Sequence, residues 1–455
     1  MNVPALIFAD EEMMGQIRGD KSIRQIMNVA CLPGIVGNAL AMPDVHEGYG
    51  FPIGGVAATR HPDGVISPGG IGYDINCGVR LIKTRIGTGE LDCVKERLLE
   101  RLYEEIPSGI GKAGRHPFKG KMFDRILEEG VPLALKEGFG DEGDRGKIES
   151  FGFLGSADRS CVSKRARERG LDQVGTLGGG NHFVEIARVD KIFDKEAADG
   201  YGLFKGQVVI LLHTGSRGLG HQIASDHIRI LMKAYGKYSI ELRDKELVSV
   251  PLSSREGQRY YGAMSCAANY AWVNRQVISF WIGQVWSEFF EGEKKELSLL
   301  YDVAHNIAKI ENHPVNGRME KLLVHRKGAT RAFGPGNEEL PGIFRQIGQP
   351  VIVPGSMGTY SHIMAGMGEP LSFSSCCHGA GRMLSRSAAK RAIDGRELIR
   401  NLKMDGVSIR AGSFSGAAEE APGAYKDVNR VTDVVETLGI ARKVARTRPL
   451  AVIKG

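Results

Sequence analysis

The hydrophobic positions of the chain fall into short runs and stripes that are separated by glycine-rich turns. The apolar run at 208–212 is short and continuous, which is typical of a buried strand. A second short run, at 350–353, predicts another strand. Across residues 253–291 the apolar positions repeat at helical spacing, and Ser253 with Glu256 predicts a capping box at the start of a long helix. Regular structure is therefore predicted in both halves of the chain.

The rest of the pattern mixes helices and strands irregularly. Residues 1–40 predict short helical pieces, residues 42–85 predict strands between turns, and residues 90–106 predict an amphipathic helix. The segment 108–170 is polar and charged and is interpreted as an insert, with a basic end at 159–170. Because strands and helices alternate without a regular order, we expect a mixed α/β (α+β) fold.

Composition adds little to this picture except through glycine, cysteine and charge. The 455 residues include 61 glycines, about twice the usual share, which favours tight turns and close backbone approaches. Seven cysteines without a CxxC pair indicate neither a zinc ribbon nor a disulfide framework. No apolar stretch resembles a signal peptide or a membrane helix, so a reduced, soluble, cytoplasmic protein is expected. The net charge of +7 is compatible with a phosphate-bearing partner.

Candidate metal ligands stand at turns and at the edges of apolar runs. Asp74 and Cys77 lie three residues apart in a glycine-flanked turn, and His182, His213 and His305 border apolar runs. Each of these residues alone is more often a core or turn residue. Together they form a nitrogen, sulfur and oxygen donor set that suits Zn²⁺, Mn²⁺, Fe²⁺ or Co²⁺ better than Ca²⁺. A thiolate that bridges two ions would suit a two-metal site.

Three glycine-rich turns are candidates for phosphate binding: CCHGAGR, PGSMGTYSH and HTGSRGLG. Small-residue turns point backbone amides at anions, and Arg217 and Arg382 could add bidentate contacts to phosphate. The alternative is that these turns only serve the fold. No P-loop, dinucleotide fingerprint, GxSxG elbow or HExxH motif occurs in the chain, so a bound nucleotide would be held in another way.

Eight motifs together resemble the RtcB family of RNA ligases, in the order of that family. The resemblance extends from about Met42 to Lys454 and Gly455, and it implies a single RtcB-like domain over 1–455 with central β-sheet layers flanked by helices. The segment 108–170 matches less clearly and is expected to vary within the family. The motifs are GYDINCGVR, GGGNHFVE, HTGSRGLGH, AHNIAK, HRKGATRAFGPG, VPGSMGTYSH, CCHGAGR and EEAPGAYKDV.

The resemblance implies an enzyme that joins an RNA 2′,3′-cyclic phosphate or 3′-phosphate to a 5′-hydroxyl, using GTP and two Mn²⁺ ions. It implies that His378 takes up GMP, with Asp44 beside its ring, and that Arg217 and Arg382 contact RNA or phosphate. The implied metal ligands are Asp74, Cys77, His182, His213 and His305. The implied GTP-binding residues are Asn181, Phe183, Glu185, Asn306, Pro354, Gly355, Ser356, Met357, Ser361, Gly379, Ala380, Gly381, Tyr425 and Lys454.

Two other functions stay open at this point. A dinuclear metal-dependent phosphodiesterase or phosphatase acting on RNA phosphate ends would need the metal ligands but neither His378 nor Lys454. A non-catalytic RNA-binding protein would use the basic residues 159–170 and would bind in a salt-dependent manner. Either tRNA splicing or RNA repair would fit the ligase, and an activating protein of the archease type is a candidate partner. Cys377 departs from the small polar residue expected beside the nucleophile.

Overall fold

The computed structural model describes residues 1–109 and 111–455, so one position of the segment 108–170 lies outside the described residues. The strands are β1 (Ala5–Ile7), β2 (Ile35–His46), β3 (Ile53–Arg60), β4 (Val65–Ile66), β5 (Gly78–Gly87), β6 (Phe183–Ile192), β7 (Gln207–Thr214), β8 (Val250–Pro251), β9 (Ser298–Ala304), β10 (Asn306–Val315), β11 (Arg318–Lys327), β12 (Ala329–Arg331), β13 (Pro350–Val353), β14 (Ser361–Gly366), β15 (Ser375–Cys377), β16 (Ser408–Ala411) and β17 (Ala441–Lys454). The α-helices are α1 (Glu11–Ile17), α2 (Ser22–Val29), α3 (Thr88–Asp92), α4 (Lys95–Glu105), α5 (Lys121–Lys136), α6 (Lys164–Leu171), α7 (Lys195–Tyr201), α8 (Arg217–Ala234), α9 (Arg255–Ser287), α10 (Gly342–Ile347), α11 (Arg386–Ala392), α12 (Gly395–Met404), α13 (Phe414–Glu419) and α14 (Val428–Thr437).

The largest sheet has the strand order β13-β14-β17-β6-β7-β5-β9 and is antiparallel throughout, with β16 added in parallel to β17. Its end strands β9 and β13 approach each other, so the sheet curls into a nearly closed barrel. Every residue of β7 is buried, which explains the continuous apolar run at this position of the sequence. The two short strands predicted at 208–212 and 350–353 are confirmed as β7 and β13.

A second sheet, in the order β1-β2-β3-β11-β10, packs beside the first. The two sheets are joined at His305, the one residue between β9 and β10. A small antiparallel pair, β12 with β15, places Cys377 opposite Ala329 and so fixes the start of the CCHGAGR turn. With helices around these sheets, the mixed α/β prediction is confirmed. The described residues contain no helix long and apolar enough to cross a membrane.

The long predicted helix is present as α9, but its predicted capping box is wrong. The N-cap is Ser254, whose hydroxyl accepts from the backbone N–H of Gly257, and the helix ends at Ser287 rather than near 291. Glycine is required at 257 because a Cβ there would lie 2.2 Å from the carbonyl oxygen of Pro251. Since α9 is buried on nearly all sides, it is a central core helix rather than one with a single apolar stripe.

The segment interpreted as an insert contributes to the largest hydrophobic cluster. Its helix α5 packs against α9 and buries Phe123, Ile126 and Leu127 in that cluster. The basic end of the segment is largely engaged within the protein: Arg167 pairs with Asp124, and Arg169 donates to a glutamine on α8 at 3.0 Å. The segment is therefore part of the folded core, and its expected variability within the family stays a prediction.

Candidate active site

One end of the largest sheet brings together side chains on or next to five neighbouring strands. The register pairs Lys454 with Phe183 and Phe183 with His213, while Gly78 pairs with Thr214 and Ala304. His182 precedes β6, Cys77 precedes β5 and His305 follows β9, so their side chains meet at the same end of the sheet. The hydrogen-bond ladder of the sheet thus brings together residues that are as far as 377 positions apart in the chain.

The five predicted metal ligands converge in two groups that share Cys77. One group is Cys77 with His213 and His305, the other is Cys77 with Asp74 and His182, and within each group the donor atoms lie within 4.8 Å of one another. Cys77 Sγ is 3.2 Å from His213 Nε2 and 3.5 Å from His182 Nε2. His182 Nε2 is 2.8 Å from Asp74 Oδ2, and the Nε2 atoms of His213 and His305 are 3.2 Å apart. The sulfur therefore lies where a thiolate could contact two ions.

Burial controls the protonation of these donors. It lowers the pKa of His213 and His305 well below the ordinary value, and neighbouring imidazoles add to the effect. Burial and the charge of Asp74 raise the pKa of the Cys77 thiol well above its ordinary value. Neutral imidazoles are the form that binds metal, whereas the thiol must lose its proton when a cation binds. The donor set fits divalent ions of borderline softness.

Tight backbone contacts hold the Asp74 side of this cluster. Asp74 Oδ1 accepts from the backbone N–H of Ser216 at 3.0 Å. A Cβ on Gly215 would lie 2.4 Å from the same oxygen, so glycine is needed at this point of the HTGSRGLG turn. Asn306 donates to the Asp74 carbonyl oxygen at 3.1 Å and accepts from a backbone N–H at 2.8 Å. The turn therefore fixes the carboxylate of Asp74, and Asn306 fixes its main chain.

His378 lies beside this cluster, paired with Asp44. His378 Nδ1 is 2.6 Å from Asp44 Oδ2, and the same oxygen accepts from the backbone N–H of His378 at 2.9 Å. The rings of His378 and His305 lie 5.3 Å apart between centroids. Gly381 has φ +75°, and a Cβ there would lie 2.1 Å from the carbonyl oxygen of Asp44. The glycines of CCHGAGR thus allow the turn to close on the strand that carries Asp44.

A cavity of about 770 Å³ opens in front of the cluster and His378. Every predicted site residue lines it except Asp44, which is fully buried behind His378. The lining residues that were predicted as metal or GTP ligands or as phosphate contacts are Asp74, Cys77, Asn181, His182, Phe183, Glu185, His213, Arg217, His305, Asn306, Pro354, Gly355, Ser356, Met357, Ser361, Gly379, Ala380, Gly381, Arg382, Tyr425 and Lys454. Co-location in one cavity supports these predictions without testing the individual roles.

Beside the metal cluster, where the Phe183 ring lies 5.4 Å from the His213 ring, the cavity wall contains a buried carboxyl group. Glu185 is buried, and its Oε1 makes no hydrogen bond to a described residue. Burial raises the pKa of Glu185 to about 8, although the charge of Lys454 opposes the shift. Lys454 places its Nζ 5.5 Å from the centre of the Phe183 ring. This wall therefore offers a carboxyl, an ammonium and an aromatic face within one recess.

The two predicted phosphate-contacting arginines differ in their surroundings. Arg217 is buried with φ +53°, and its Nε donates to Thr176 Oγ1 at 3.2 Å. Arg382 lies over the Tyr425 ring at 4.8 Å and donates to the Tyr425 hydroxyl at 2.8 Å and to Glu420 at 3.2 Å. The guanidinium of Arg382 is thus held by protein groups at the cavity wall, and its contact with RNA stays a prediction.

Several lining residues were missed in the sequence. Glu420 stands in the motif EEAPGAYKDV, where only Tyr425 was singled out, so the motif itself contained the signal. Tyr73 adjoins Asp74, and its ring stacks on that of His221 at 5.9 Å. Lys327 extends from the end of β11 and donates to the carbonyl oxygens of two residues near the cavity mouth. These residues share no spacing that would join them before the chain is folded.

Comparison with known proteins decides the family. A sequence model described as tRNA-splicing ligase RtcB matches residues 25–455. The chain belongs to the RtcB family. Its resemblance to that family is thereby confirmed, and the family match includes the whole cavity and the segment 108–170. It also includes α9 and all of the strands except β1, so the RtcB fold and the site are inherited together.

Curated relatives of the RtcB family align with the whole chain. The chain is 50% identical to the tRNA-splicing ligase RtcB of Thermococcus kodakarensis, with 100% of this chain and 95% of the relative covered. It is 48% identical to the protein of the same name from Aeropyrum pernix, with 100% and 96% covered. The corresponding protein of Methanococcus maripaludis is also 48% identical, with 100% and 95% covered.

Proposed function

We propose that the protein is a GTP-dependent RNA ligase that joins a 2′,3′-cyclic phosphate or 3′-phosphate end to a 5′-hydroxyl end. The observation that carries the proposal is the His378–Asp44 pair, which lies beside a two-part metal cluster inside one cavity. Membership of a family whose relatives are named tRNA-splicing ligases supports RNA as the substrate. Cleaved tRNA is the first candidate, and other broken RNA ends carry the same chemistry.

The proposed nucleophile is His378 Nε2. Because Nδ1 faces Asp44 at 2.6 Å, a proton on Nδ1 is held by the carboxylate and the lone pair of Nε2 is left for attack. Attack on the α-phosphorus of GTP forms a phosphorus–nitrogen bond and releases pyrophosphate. A 2′,3′-cyclic phosphate end would first take up water, which breaks its bond to the 2′-oxygen and leaves a 3′-phosphate. The GMP then passes from His378 to the RNA 3′-phosphate, and the 5′-hydroxyl attacks that phosphate and expels GMP. The original 3′-phosphate becomes the linkage.

The metal cluster fits two divalent ions, which we propose to be Mn²⁺. Cys77, His213 and His305 would hold one ion, and Asp74, Cys77 and His182 would hold the other. When bound, such ions neutralise charge on the transferred phosphoryl group. The protein contributes a preformed set of neutral imidazoles, since burial holds the pKa of His213 and His305 low. The position of His378 beside His305 brings the nucleophile to the edge of this cluster.

Guanine selection would follow from the wall that contains Glu185 and Lys454. Glu185 would lose its proton when guanine binds, and its carboxylate would then accept from the guanine N1–H and 2-amino group, while Lys454 would donate to O6 or N7. Adenine has no such arrangement, because its N1 is an acceptor and its six-position bears a donor. Phe183 and Tyr425 line the same recess and would contact the base from its faces. We therefore propose GTP rather than ATP as the nucleotide.

Incubation with α-labelled GTP and Mn²⁺ tests the first step. The expected result is an acid-labile, alkali-stable label on the protein, with no label from ATP. A ligation assay on a cleaved tRNA with defined ends then tests the complete reaction. A protein that opens or removes RNA end phosphates while taking up no label would support the phosphodiesterase alternative instead. An archease-type activator would raise the ligation rate in the same assay, and a cytoplasmic location stays a prediction.

A further inference from the structure

The part of the cavity lined by Phe183, Glu185, Arg382, Tyr425 and Lys454 is the nucleotide wall. One buried carboxylate, Glu420, contacts three of these residues. It stands at the end of α13 and is 3% exposed. Its Oε1 accepts from Arg382 Nη1 at 3.2 Å. Its Oε2 accepts from the Tyr425 hydroxyl and lies 3.6 Å from Lys454 Nζ. These partners come from the CCHGAGR turn, from the loop before α14 and from the end of β17.

The charges of this wall make Glu420, not Glu185, the counterion of Lys454. Although burial opposes it, the charge of Lys454 and the hydrogen bond from Tyr425 hold the pKa of Glu420 below its ordinary value. Burial instead raises the pKa of Glu185 to about 8. Lys454 is therefore paired with Glu420, and of the two carboxyl groups only Glu185 has an oxygen without a described partner. Glu185 is therefore available to bind a ligand, whereas both oxygens of Glu420 contact other side chains of the protein.

Glu420 also connects the CCHGAGR turn, which carries His378, with Tyr425 and Lys454. Arg382 belongs to the turn of His378, and its guanidinium lies over the Tyr425 ring at 4.8 Å. The backbone N–H of Lys426 donates to the Gly381 carbonyl oxygen at 2.9 Å, so the two segments are joined by main chain as well. A carboxylate that binds Arg382, Tyr425 and Lys454 at once fixes their relative positions.

We propose that Glu420 is a positioning residue for nucleotide selection, which holds the Lys454 ammonium at the guanine edge and locks Tyr425 and Arg382 beside it. The inference rests on the proposed function, since it assigns the guanine edge to Lys454. Without the negative charge of Glu420, the aliphatic part of the Lys454 side chain stays in place, but its ammonium group loses the ion pair that orients it. The contribution of Lys454 to binding should then largely disappear.

The test measures equilibrium binding of GTP and of 2-aminopurine riboside triphosphate, a probe that lacks the O6 acceptor and, with it, the N1–H donor of guanine. Each variant is compared with wild type for the same ligand, so the loss of the N1–H donor cancels from the comparison. The proteins are wild type, Glu420→Gln, Lys454→Ala and the double variant. Glu420→Gln should raise the Kd for GTP about tenfold, as expected for loss of a charged contact. The same substitution should raise the Kd for the probe much less, so the ratio of the Kd for the probe to the Kd for GTP should decrease. The double variant should bind GTP no more weakly than Lys454→Ala.

The control is Glu100→Gln, which removes the charge of an exposed carboxylate paired with an arginine outside the cavity and should leave both Kd values unchanged. Equal weakening of GTP and of the probe, or additive effects in the double variant, would overturn the role of Glu420. A lower unfolding temperature with unchanged selectivity would also overturn it, because that result indicates only a structural role. A wild-type protein that binds GTP but takes no label would remove the proposed reaction, and the binding comparison would still decide about Glu420.

Discussion

The two walls of the cavity are built on different principles. The metal wall consists of one carboxylate, Asp74, with Cys77 and three histidines, and burial holds the pKa of His213 and His305 well below the ordinary value. The nucleotide wall consists mainly of charged groups that pair with one another, and of its two carboxyl groups Glu185 has an oxygen without a described partner. A site made mostly of neutral imidazoles needs little compensation before a cation binds, whereas buried ionised groups must be paired when the protein folds. The difference predicts that the two walls can be disabled separately.

The largest expected effect is that of His378→Ala, which should remove guanylylation and leave metal binding intact. Removal of the imidazole eliminates the proposed nucleophile, so guanylylation should fall by at least about 10³-fold. The metal content should stay at the wild-type value, because His378 belongs to neither donor group. The measurements are label uptake from α-labelled GTP and metal analysis of the purified protein. His116→Ala is the control, since His116 does not line the cavity.

Loss of bound metal in the His378 variant would contradict the assignment, because it would make His378 a ligand. Loss of metal together with a lowered unfolding temperature would have the same meaning. Unchanged label uptake would move the nucleophile elsewhere in the cavity. Any of these results would contradict the role of His378 as a nucleophile that binds no metal.

The second largest effect is that of Cys77→Ser, which should weaken metal binding and leave GTP binding intact. A hydroxyl is a far weaker ligand than a thiolate, and Cys77 is the donor that both groups share. Metal affinity should fall by at least about 100-fold, a larger loss than removal of an outer partner of a ligand causes. Titration with Mn²⁺ and metal stoichiometry measure the effect. GTP binding without metal should remain, since the nucleotide wall is untouched.

The exposed Cys93 offers the matched control, because Cys93→Ser makes the same chemical change away from the cavity. That variant should keep the wild-type stoichiometry. Two ions bound at normal affinity in Cys77→Ser would refute the bridging role of the sulfur.

The two walls also differ in how much of each can be predicted from the sequence. Cys77 and His182 are weak signals one at a time, but five residues of metal-binding type at turns and at the edges of apolar runs together predicted a metal site. Glu420 was signalled only by its motif EEAPGAYKDV, and its contacts with Lys454, Tyr425 and Arg382 required the fold. Ligand chemistry was therefore predictable, whereas the support for the nucleotide wall required the fold.

The same limit applies to the long helix α9. Its existence followed from local periodicity, but its first residue did not. The sequence pattern pointed to Ser253, whereas in the structure the hydroxyl of Ser254 accepts from the backbone N–H of Gly257 and Ser254 is the N-cap. A choice between neighbouring residues of the same type depends on a contact that the sequence does not contain.

The smallest expected effect concerns Glu185 and the charge balance of the nucleotide wall. Burial raises its pKa from 4.5 to about 8, so the folded protein keeps a proton that the unfolded chain loses above pH 4.5. Stability should therefore fall as the pH rises from about 4.5 to 8, and Glu185→Gln should remove that fall. The variant should be more stable than wild type at pH 9, with little difference at pH 4.5. Urea unfolding at several pH values measures this, with the exposed Glu293→Gln as control. A constant difference between wild type and variant at all pH values would mean that Glu185 is already ionised in the fold, and the nucleotide wall would then hold two charged carboxylates around Lys454.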